Sequence, residues 1–563
     1  MSQSNLSPSS AQAPSTNTSA SVATASSTHN PMRVPSAASA ARTYKDAIAA
    51  LNTLQSNFAS IEAFKKLGPN VNRNELSINE VYEYTRRLGY SPKDFNKLNI
   101  IHITGTKGKG STCAFTESIL KQYLNTSKPS GSPSISKIGL FTSPHLKSVR
   151  ERIRINGSPI NELKFAKYFF EVWDKLSTTT SSPEDFPTLQ PSDQVKPMYF
   201  KYLTILSFHV FMSEGVDTAI YEVGVGGQYD STNIIDKPTV NGISSLGIDH
   251  TFMLGDTIES ITWNKTGIFK KGVPAFVSQQ LEHPEAIPVI EERAKEKEVS
   301  YLEIVDTAKV LPQGVKLGLA GEFQKQNAAL AVKLAATHLE SLGLTDELPK
   351  FNDDGYIEDL PEKFVAGLEQ VKWDGRCQKI LNKPGFEKIN WFIDGAHTLE
   401  SINVSSLWFK NEQLKSPSNI KKTRILLFNQ QNRENSDLLL TKLYENISGG
   451  ETPLEFDHVI FTTNITWSDG KYNADLVSLN TSKELVDQLT IQKAFAQTWS
   501  DLDHKYKRNA RKHIFPDIET GVNFIKSLTN SGVFPEHAEI DVFVCGSIHL
   551  VGGFLVVLDN EKD

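Results

Sequence analysis

Cysteine is scarce in this chain, and the three present (Cys113, Cys377 and Cys545) lie far apart with no Cys-x-x-Cys spacing. That arrangement argues against both a disulfide framework and a zinc site, and fits a reducing compartment. A long uninterrupted apolar run is also missing. The most hydrophobic stretch, Val542 to Leu558, carries Ser547, His549 and three glycines. It reads as a buried strand followed by a helix, so no transmembrane segment is expected. Positive charge is not in excess either. The 59 basic residues face 65 acidic ones, for a net charge of −6, which gives no general attraction to nucleic acid. No internal repeat is evident.

Acids are absent before Asp46. Residues 1–42 are dominated by Ser, Ala, Thr, Asn and Pro, and such a segment buries too little apolar surface to offset its ordering entropy. A disordered leader is expected. Its serines, its lack of acids and Arg33 and Arg42 also fit a weak mitochondrial presequence, with Met32 available as a second start. At 563 residues the chain is too long for one core.

What the sequence does contain is a run of strand-like segments alternating with helical ones. Ile138–Phe141, Thr218–Val223, Val240–Ser244 and Val273–Val277 form one series, and Ile389–Ile393, Ile425–Phe428, Val459–Phe461 and Val542–Cys545 a second. Alternation of this kind implies largely parallel sheets covered by helices. The expectation is an α/β protein of two domains, 43–374 and 375–563, with the junction near Lys372–Cys377, beyond a loop-like acidic segment Asp346–Glu362. Two polar inserts, about 125–136 and 177–194, read as surface loops.

The most informative segment is Ile101-His-Ile-Thr-Gly-Thr-Lys-Gly-Lys-Gly-Ser-Thr112. An apolar strand leads into glycines at 105, 108 and 110, and a helical pattern runs from Cys113 to Leu124. Glycines let backbone N–H groups converge on an anion, and a helix N-terminus adds partial positive charge. Lys109 supplies a full charge for outer phosphates, with Ser111 or Thr112 placing a hydroxyl near a metal. Lys109 precedes Gly110 here, reversing the usual order.

Phosphoryl chemistry needs a divalent ion to neutralise charge in place. Candidate ligands follow strands, where α/β sheets put their sites. Glu222 ends an apolar strand and feeds Val-Gly-Val-Gly-Gly, and Ser143 stands in Phe-Thr-Ser-Pro-His145. His250 closes a third strand-like segment, although magnesium prefers oxygen donors. Lys265 lies on a helical segment. Taken singly, each has an ordinary structural reading: strand-end acid, turn serine, hydrogen-bonded histidine, surface lysine. The run Lys147–Asn156 is also two-sided. Alternation would put Ile153 and Ile155 inward and Arg152 and Arg154 in solvent, whereas an adjacent anion site would recruit the guanidinium groups. In the second series, Ile393-Asp-Gly-Ala-His-Thr398 is again strand, turn and helix start, aiming Asp394 and His397 at a cleft. Trp373-Asp-Gly-Arg376 sits at the junction.

Together these segments resemble the folylpolyglutamate synthase family, eukaryotic type, within the Mur-ligase-like superfamily of ATP-dependent amide-forming ligases. The resemblance runs from about Thr43 to the C-terminus. It includes Gly-Glu-Phe-Gln-Lys-Gln-Asn-Ala-Ala-Leu330 and the terminal Gly-Ser-Ile-His-Leu-Val-Gly-Gly553. It implies a P-loop ATPase-type first domain and a smaller Rossmann-like second. It also implies transfer of the ATP γ-phosphoryl group to the γ-carboxylate of tetrahydrofolate or its polyglutamates, followed by attack of L-glutamate.

Carried across, Gly105, Thr106, Gly108, Lys109, Gly110, Ser111 and Thr112 would hold ATP. Ser143, Glu222 and His250 would bind magnesium, with two ions and a monovalent cation such as potassium expected. Gln324 and Asn327 would lie near the nucleotide, which Arg376, Asp394 and His397 would reach from the second domain. Lys109, Glu222, His250 and Lys265 form the catalytic set, and Lys265 matches a lysine carbamylated in bacterial relatives. Mitochondrial and cytoplasmic pools and a monomer are implied. Departures occur at Gln228–Asn233, at Phe428–Arg433 and at Phe323, where a histidine is common. Dihydrofolate synthase, which would add the first glutamate to dihydropteroate, remains the nearest alternative. A nucleotide-binding regulatory protein and a simple phosphotransferase are more distant ones.

Overall fold

In the computed structural model the described residues are 42–56, 73–124, 134–190, 195–415, 422–430, 436–470, 474–476, 488–529 and 538–562. The leader 1–41 and residues 431–433 of the Phe428–Arg433 loop lie outside them, as do parts of both polar inserts. Residues Arg42–Asp563 form one compact unit built on two sheets.

The first sheet has eight strands: β1 Ile100–Thr104, β2 Ile138–Phe141, β3 Ile153–Ile155, β4 Ser158–Pro159, β5 Thr218–Glu222, β6 Val240–Ile243, β7 Ala275–Ser278 and β8 Leu302–Val305. Their order is β4-β3-β2-β5-β1-β6-β7-β8, with β3 and β4 antiparallel and the rest parallel. β1 is central and buried along its whole length, as a parallel strand covered on both faces must be. A two-stranded ribbon, β9 Lys350–Phe351 with β10 Ile357–Asp359, occupies the acidic stretch expected to be loop.

The second sheet comprises β11 Gln378–Ile380, β12 Ile389–Ile393, β13 Lys422–Phe428, β14 His458–Thr462, β15 Arg511–Phe515 and β16 Glu539–Cys545. Its order is β11-β12-β16-β13-β14-β15, antiparallel only at β11. Val542–Cys545 is thus an interior strand and Ile548–Leu558 a buried helix. Among the described residues no helix is long and apolar enough to cross a membrane.

The helix after β1 runs from Lys109 to Lys121, so it begins four residues before the expected Cys113 and includes the lysine and glycine of the loop. The reason is Gly108, whose left-handed backbone (φ 84°) caps the helix. Helix Phe323–Ser341 packs beside it through Ala328, Ala329, Ala331 and Ala335 in a shared core with Phe115 and Ile119. Small side chains permit that approach.

The two sheets meet along the C-terminal helix. A Cβ on Gly552 would overlap the Leu146 carbonyl oxygen, and Leu146 also touches Gly375. The motif Leu-Val-Gly-Gly553 therefore serves close packing of a helix on a backbone. We expect Gly552→Ala to lower stability by about 1–3 kcal/mol through overpacking, read as a drop in the urea midpoint at unchanged m-value.

His338 is fully buried between Thr218 of β5 and Thr239 beside β6, at 3.2 and 2.8 Å. Burial pushes it down to about 3. The unfolded chain, near 6.5, takes up the proton first, so the stability this neutral ring contributes is present above 6.5 and is lost as pH falls towards 3. The stability gap between wild type and His338→Gln should therefore narrow by about 1.4 kcal/mol per pH unit below 6.5. Urea titrations at pH 7.5 and 5.5 measure it, and a gap independent of pH would contradict the assignment.

Candidate active site

The loops at the carboxyl ends of β1, β2, β5 and β6 converge at one edge of the first sheet, the position where open α/β sheets place ligands. Gly105 leaves β1 in a conformation (φ 150°) that brings it against Ser244. Gly108 faces Asn327 so closely that a Cβ would overlap its amide oxygen. Asn327 is held by its own bond to Gln324 Oε1, at 2.9 Å, and Gln324 Nε2 donates to Ser111 Oγ at 3.3 Å. Both amides are buried and buttress the loop from behind. Thr106 also serves the loop. Its hydroxyl donates to Gly247 O, and its amide and that of Lys107 donate to Ser245 O.

The amides that open the helix at Lys109, Gly110 and Ser111 have no partner within the helix, so they present donors at its positive end. Thr112 adds a buried Oγ1 with no hydrogen-bond partner among the described residues. This set fits a phosphate chain. Trp373, from the junction between the sheets, lies over Gly110, with its Nε1 3.3 Å from where a Cβ would stand. The Arg154 guanidinium covers the same indole, 5.1 Å from its centre.

Two lysines meet at Gly105. Lys109 Nζ donates to its carbonyl at 3.0 Å and Lys265 Nζ at 2.8 Å. Lys265 ends the helix Ile258–Lys265 and is 3% exposed; it is not the surface lysine its sequence context allowed. Burial, reinforced by the positive charge of Lys109, holds its pKa well below the ordinary lysine value.

Glu222 ends β5 buried, and Ser143 N donates to its Oε2 at 2.9 Å. Burial raises its carboxyl pKa, against the lowering pull of Lys109 and the Ser143 amide. Its Oε1 has no protein donor among the described residues, so Ser143 and Glu222 offer the oxygen donors magnesium prefers. His250 is placed differently. β6 stops at Ile243, and His250 caps the short helix Thr251–Leu254 with a side chain 45% exposed beside Asp249. Among the described residues no three His, Cys, Asp or Glu side chains are grouped to hold a metal. The Ser143 main chain and the Glu222 carboxylate are brought together, and His250 follows β6 at the start of the next short helix.

From the second sheet, Asp394 follows β12 and is buried. Its Oδ2 accepts from Cys377 N at 2.8 Å and its Oδ1 from Ala396 N at 2.9 Å. Burial raises its pKa while Arg376 pulls it down. It fixes the turn that presents Arg376, whose Nη1 donates to Gly375 O at 3.0 Å. His397 Nδ1 lies 2.9 Å from Gly395 O, just before the cap Thr398. Arg376 lines an open cleft together with Thr142, His145, Glu151, Arg154 and Trp373. Arg154, Trp373 and the serines 244 and 245 were not read from the sequence as site residues. Only the cationic run and the Trp-Asp-Gly-Arg motif pointed towards them.

Comparison with known proteins places this geometry among relatives. The family described as dihydrofolate synthetase, C-terminal domain, matches residues 379–557. The folylpolyglutamate synthase of Candida albicans is 66% identical over 526 residues, covering 93% of this chain and 97% of its own. That of Saccharomyces cerevisiae (strain FostersO) is 50% identical over 531 residues, covering 94% and 89%. Among solved structures, Mycobacterium tuberculosis folylpolyglutamate synthase complexed with ADP superposes with a TM-score of 0.60 at 21% identity, covering 92% of this chain and all of that one. E. coli FolC in complex with DHPP and ADP gives 0.56 at 22%, covering 94% of this chain and 100% of that one. Identities this low establish a shared two-domain α/β fold.

Proposed function

Because this chain belongs to the folylpolyglutamate synthase family, we infer that the loop Gly105–Thr112 holds the phosphates of ATP while a glutamate is joined to a folate. The enzyme is an ATP-dependent carbon–nitrogen ligase. It adds L-glutamate to the γ-carboxylate of tetrahydrofolate or its polyglutamates, with ADP and phosphate as the other products. The relatives at 66% and 50% identity carry the polyglutamylating name, which favours this reading over dihydrofolate synthase.

The observation that carries the site assignment is the meeting of Lys109, Lys265 and the helix N-terminus at Gly105, with the Glu222 carboxylate in the field of Lys109. Direct condensation of carboxylate and amine is uphill in water, and carboxylate oxygen is a poor leaving group. Phosphoryl transfer to the γ-carboxylate gives an acyl phosphate, and the amine of glutamate then displaces phosphate. The protein's tasks are to align reactants, stabilise charge on the transferring group and exclude water. Lys109 and the amides of Gly110 and Ser111 face the developing negative charge. Arg376 brings a second cation from the other sheet, so productive binding requires both sheets around one nucleotide.

Magnesium, held by Ser143 and Glu222, would neutralise phosphate charge in place. His250 is the third ligand in this reading. A potassium requirement, two magnesium ions, a monomeric state and residence in both mitochondria and cytoplasm belong to the same reading.

Product analysis tests it. Purified protein with ATP, magnesium, potassium, tetrahydrofolate and glutamate should yield a ladder of glutamate increments by mass spectrometry. A parallel reaction with dihydropteroate distinguishes the first-glutamate activity. ATP consumption without any amide product would overturn the assignment.

A further inference from the structure

Arg152 is a cation with no ion-pair partner among the described residues. It is 8% exposed and ends the 3-10 turn Val149–Arg152, which leads directly into β3 beside β2. The solvent-facing position expected from strand alternation is therefore wrong for Arg152, because the turn delays the strand to Ile153. Its neighbours Arg150 and Arg154 each have a glutamate in range, Glu162 at 3.7 Å and Glu151 at 4.0 Å. Arg152 has no such ion pair among the described residues. Its Nε donates to His145 Nδ1 at 2.9 Å, and its guanidinium carbon lies 5.6 Å from the centre of the Tyr199 ring. Neither terminal nitrogen finds a hydrogen-bond acceptor among the described residues. Glu222 and Glu151 reach it only through their fields.

A buried guanidinium with a free fork is costly unless something supplies two coplanar oxygens. A carboxylate has that shape. The cleft lined by His145, Glu151, Arg154 and Arg376 adjoins it, and both substrates joined in this reaction carry glutamate carboxylates.

The guanidinium is also aimed. Arg152 only donates, so His145 Nδ1 must be the acceptor and the ring proton sits on Nε2, 2.8 Å from the Asp475 carbonyl oxygen. Asp475 comes from the second half of the chain. Its carboxylate accepts from Val149 N at 2.8 Å and from the Tyr44 hydroxyl at 2.5 Å, while Asn52 holds the neighbouring Ala474 carbonyl at 3.1 Å. Residues 474–475 are thus fastened to two segments of the first half, the helix Tyr44–Thr53 and the stretch 145–149.

We propose that Arg152 binds a glutamate carboxylate of the substrates, and that His145, held by the Asp475 main chain, is the positioning residue that sets its direction. The proposal rests on the ligase reading above. The carboxylate belongs either to the terminal residue of the folate or to the incoming amino acid, and kinetics separates these.

Arg152→Gln, Arg152→Lys, His145→Asn and His145→Gln are assayed in the full chain with folate, glutamate and ATP varied in turn, alongside thermal unfolding. Loss of a charge-assisted fork should raise one carboxylate substrate's KM about 10- to 100-fold in Arg152→Gln, with the KM for ATP unchanged. Arg152→Lys, which keeps the charge and loses the fork, should fold normally and still show a raised KM. A higher folate KM assigns the acceptor, and a higher glutamate KM the incoming residue. Asparagine at 145 retains an acceptor for Arg152 and should behave nearly as wild type, whereas glutamine retains only the bond to Asp475 and should mimic loss of Arg152. Unchanged folate and glutamate KM values in a folded Arg152 variant, or a change in the ATP KM alone, would overturn the proposal. Equal loss in both His145 variants would do the same. In any of these cases a wild-type glutamate ladder would leave the ligase reading standing.

Discussion

Lys109→Ala should fall in kcat/KM by about 10²–10³-fold, the cost of removing one preorganised charge from a phosphoryl-transfer site. Two features make the loss specific. The side chain lies at the helix start and, among the described residues, is hydrogen-bonded only to Gly105 O, so its removal leaves the core around Ile101, Ile103 and Phe115 intact and the melting temperature near that of wild type. The amides of Gly110 and Ser111 remain, so nucleotide binding should weaken less than turnover does. Lys109→Arg should recover little, because a planar guanidinium cannot occupy the compact position an ammonium takes between Gly105 and a phosphate. Steady-state kinetics with product detection measures all of this. Undiminished amide synthesis by the pure alanine variant would refute the placement of ATP on this loop.

The second large effect is expected at Lys265. Two ammonium groups on one carbonyl, in a site 3% exposed on the Lys265 side, repel each other, and burial favours the neutral amine at Lys265. A neutral lysine amine adds CO₂, forming a carbamate with release of a proton. The product is an anion beside Lys109 instead of a second cation, and it carries oxygen donors of the kind magnesium prefers. Stripping CO₂ should therefore lower wild-type turnover, and bicarbonate should restore it. Lys265→Met should lose about 10²-fold or more and regain part of that with added acetate or propionate. Turnover indifferent to CO₂, together with an unmodified intact mass, would remove the carbamate from the mechanism.

How much of this was legible in advance depended on how local the signal is. β1, β2, β5, β6, β12, β13, β14 and β16 were all signalled by apolar runs, because a parallel strand buried on both faces has few places for a polar residue. Of the strands missed, β4, β8, β11 and β15 are the edges of the two sheets, and β9 and β10 form the separate short ribbon. Ser158–Pro159 is two residues long, and Arg511–Phe515 is half-exposed and charged. Edge strands bury one face at most, so their composition resembles loop.

The same division runs through the site. The glycine loop declared itself because strand, turn and helix start are consecutive in the chain. Gln324 and Asn327 were expected near the nucleotide, and they pack against Ser111 and Gly108 of the loop, a contact that depends on how one helix docks on another. His250 was expected at a strand end, and the strand stops seven residues earlier.

Residue order alone determined the glycine-rich strand–turn–helix loop, the parallel character of both sheets and the kinship to a ligase family, since each rests on short-range pattern. Only the folded chain decided which charges are buried. Lys265 taken singly reads as a surface lysine and Arg152 lies in a run with two open readings, yet both are enclosed, because enclosure depends on segments distant in sequence such as Gly105 at Lys265 and Asp475 behind His145. Desolvation is a property of everything surrounding a group, and no window of neighbouring residues contains it.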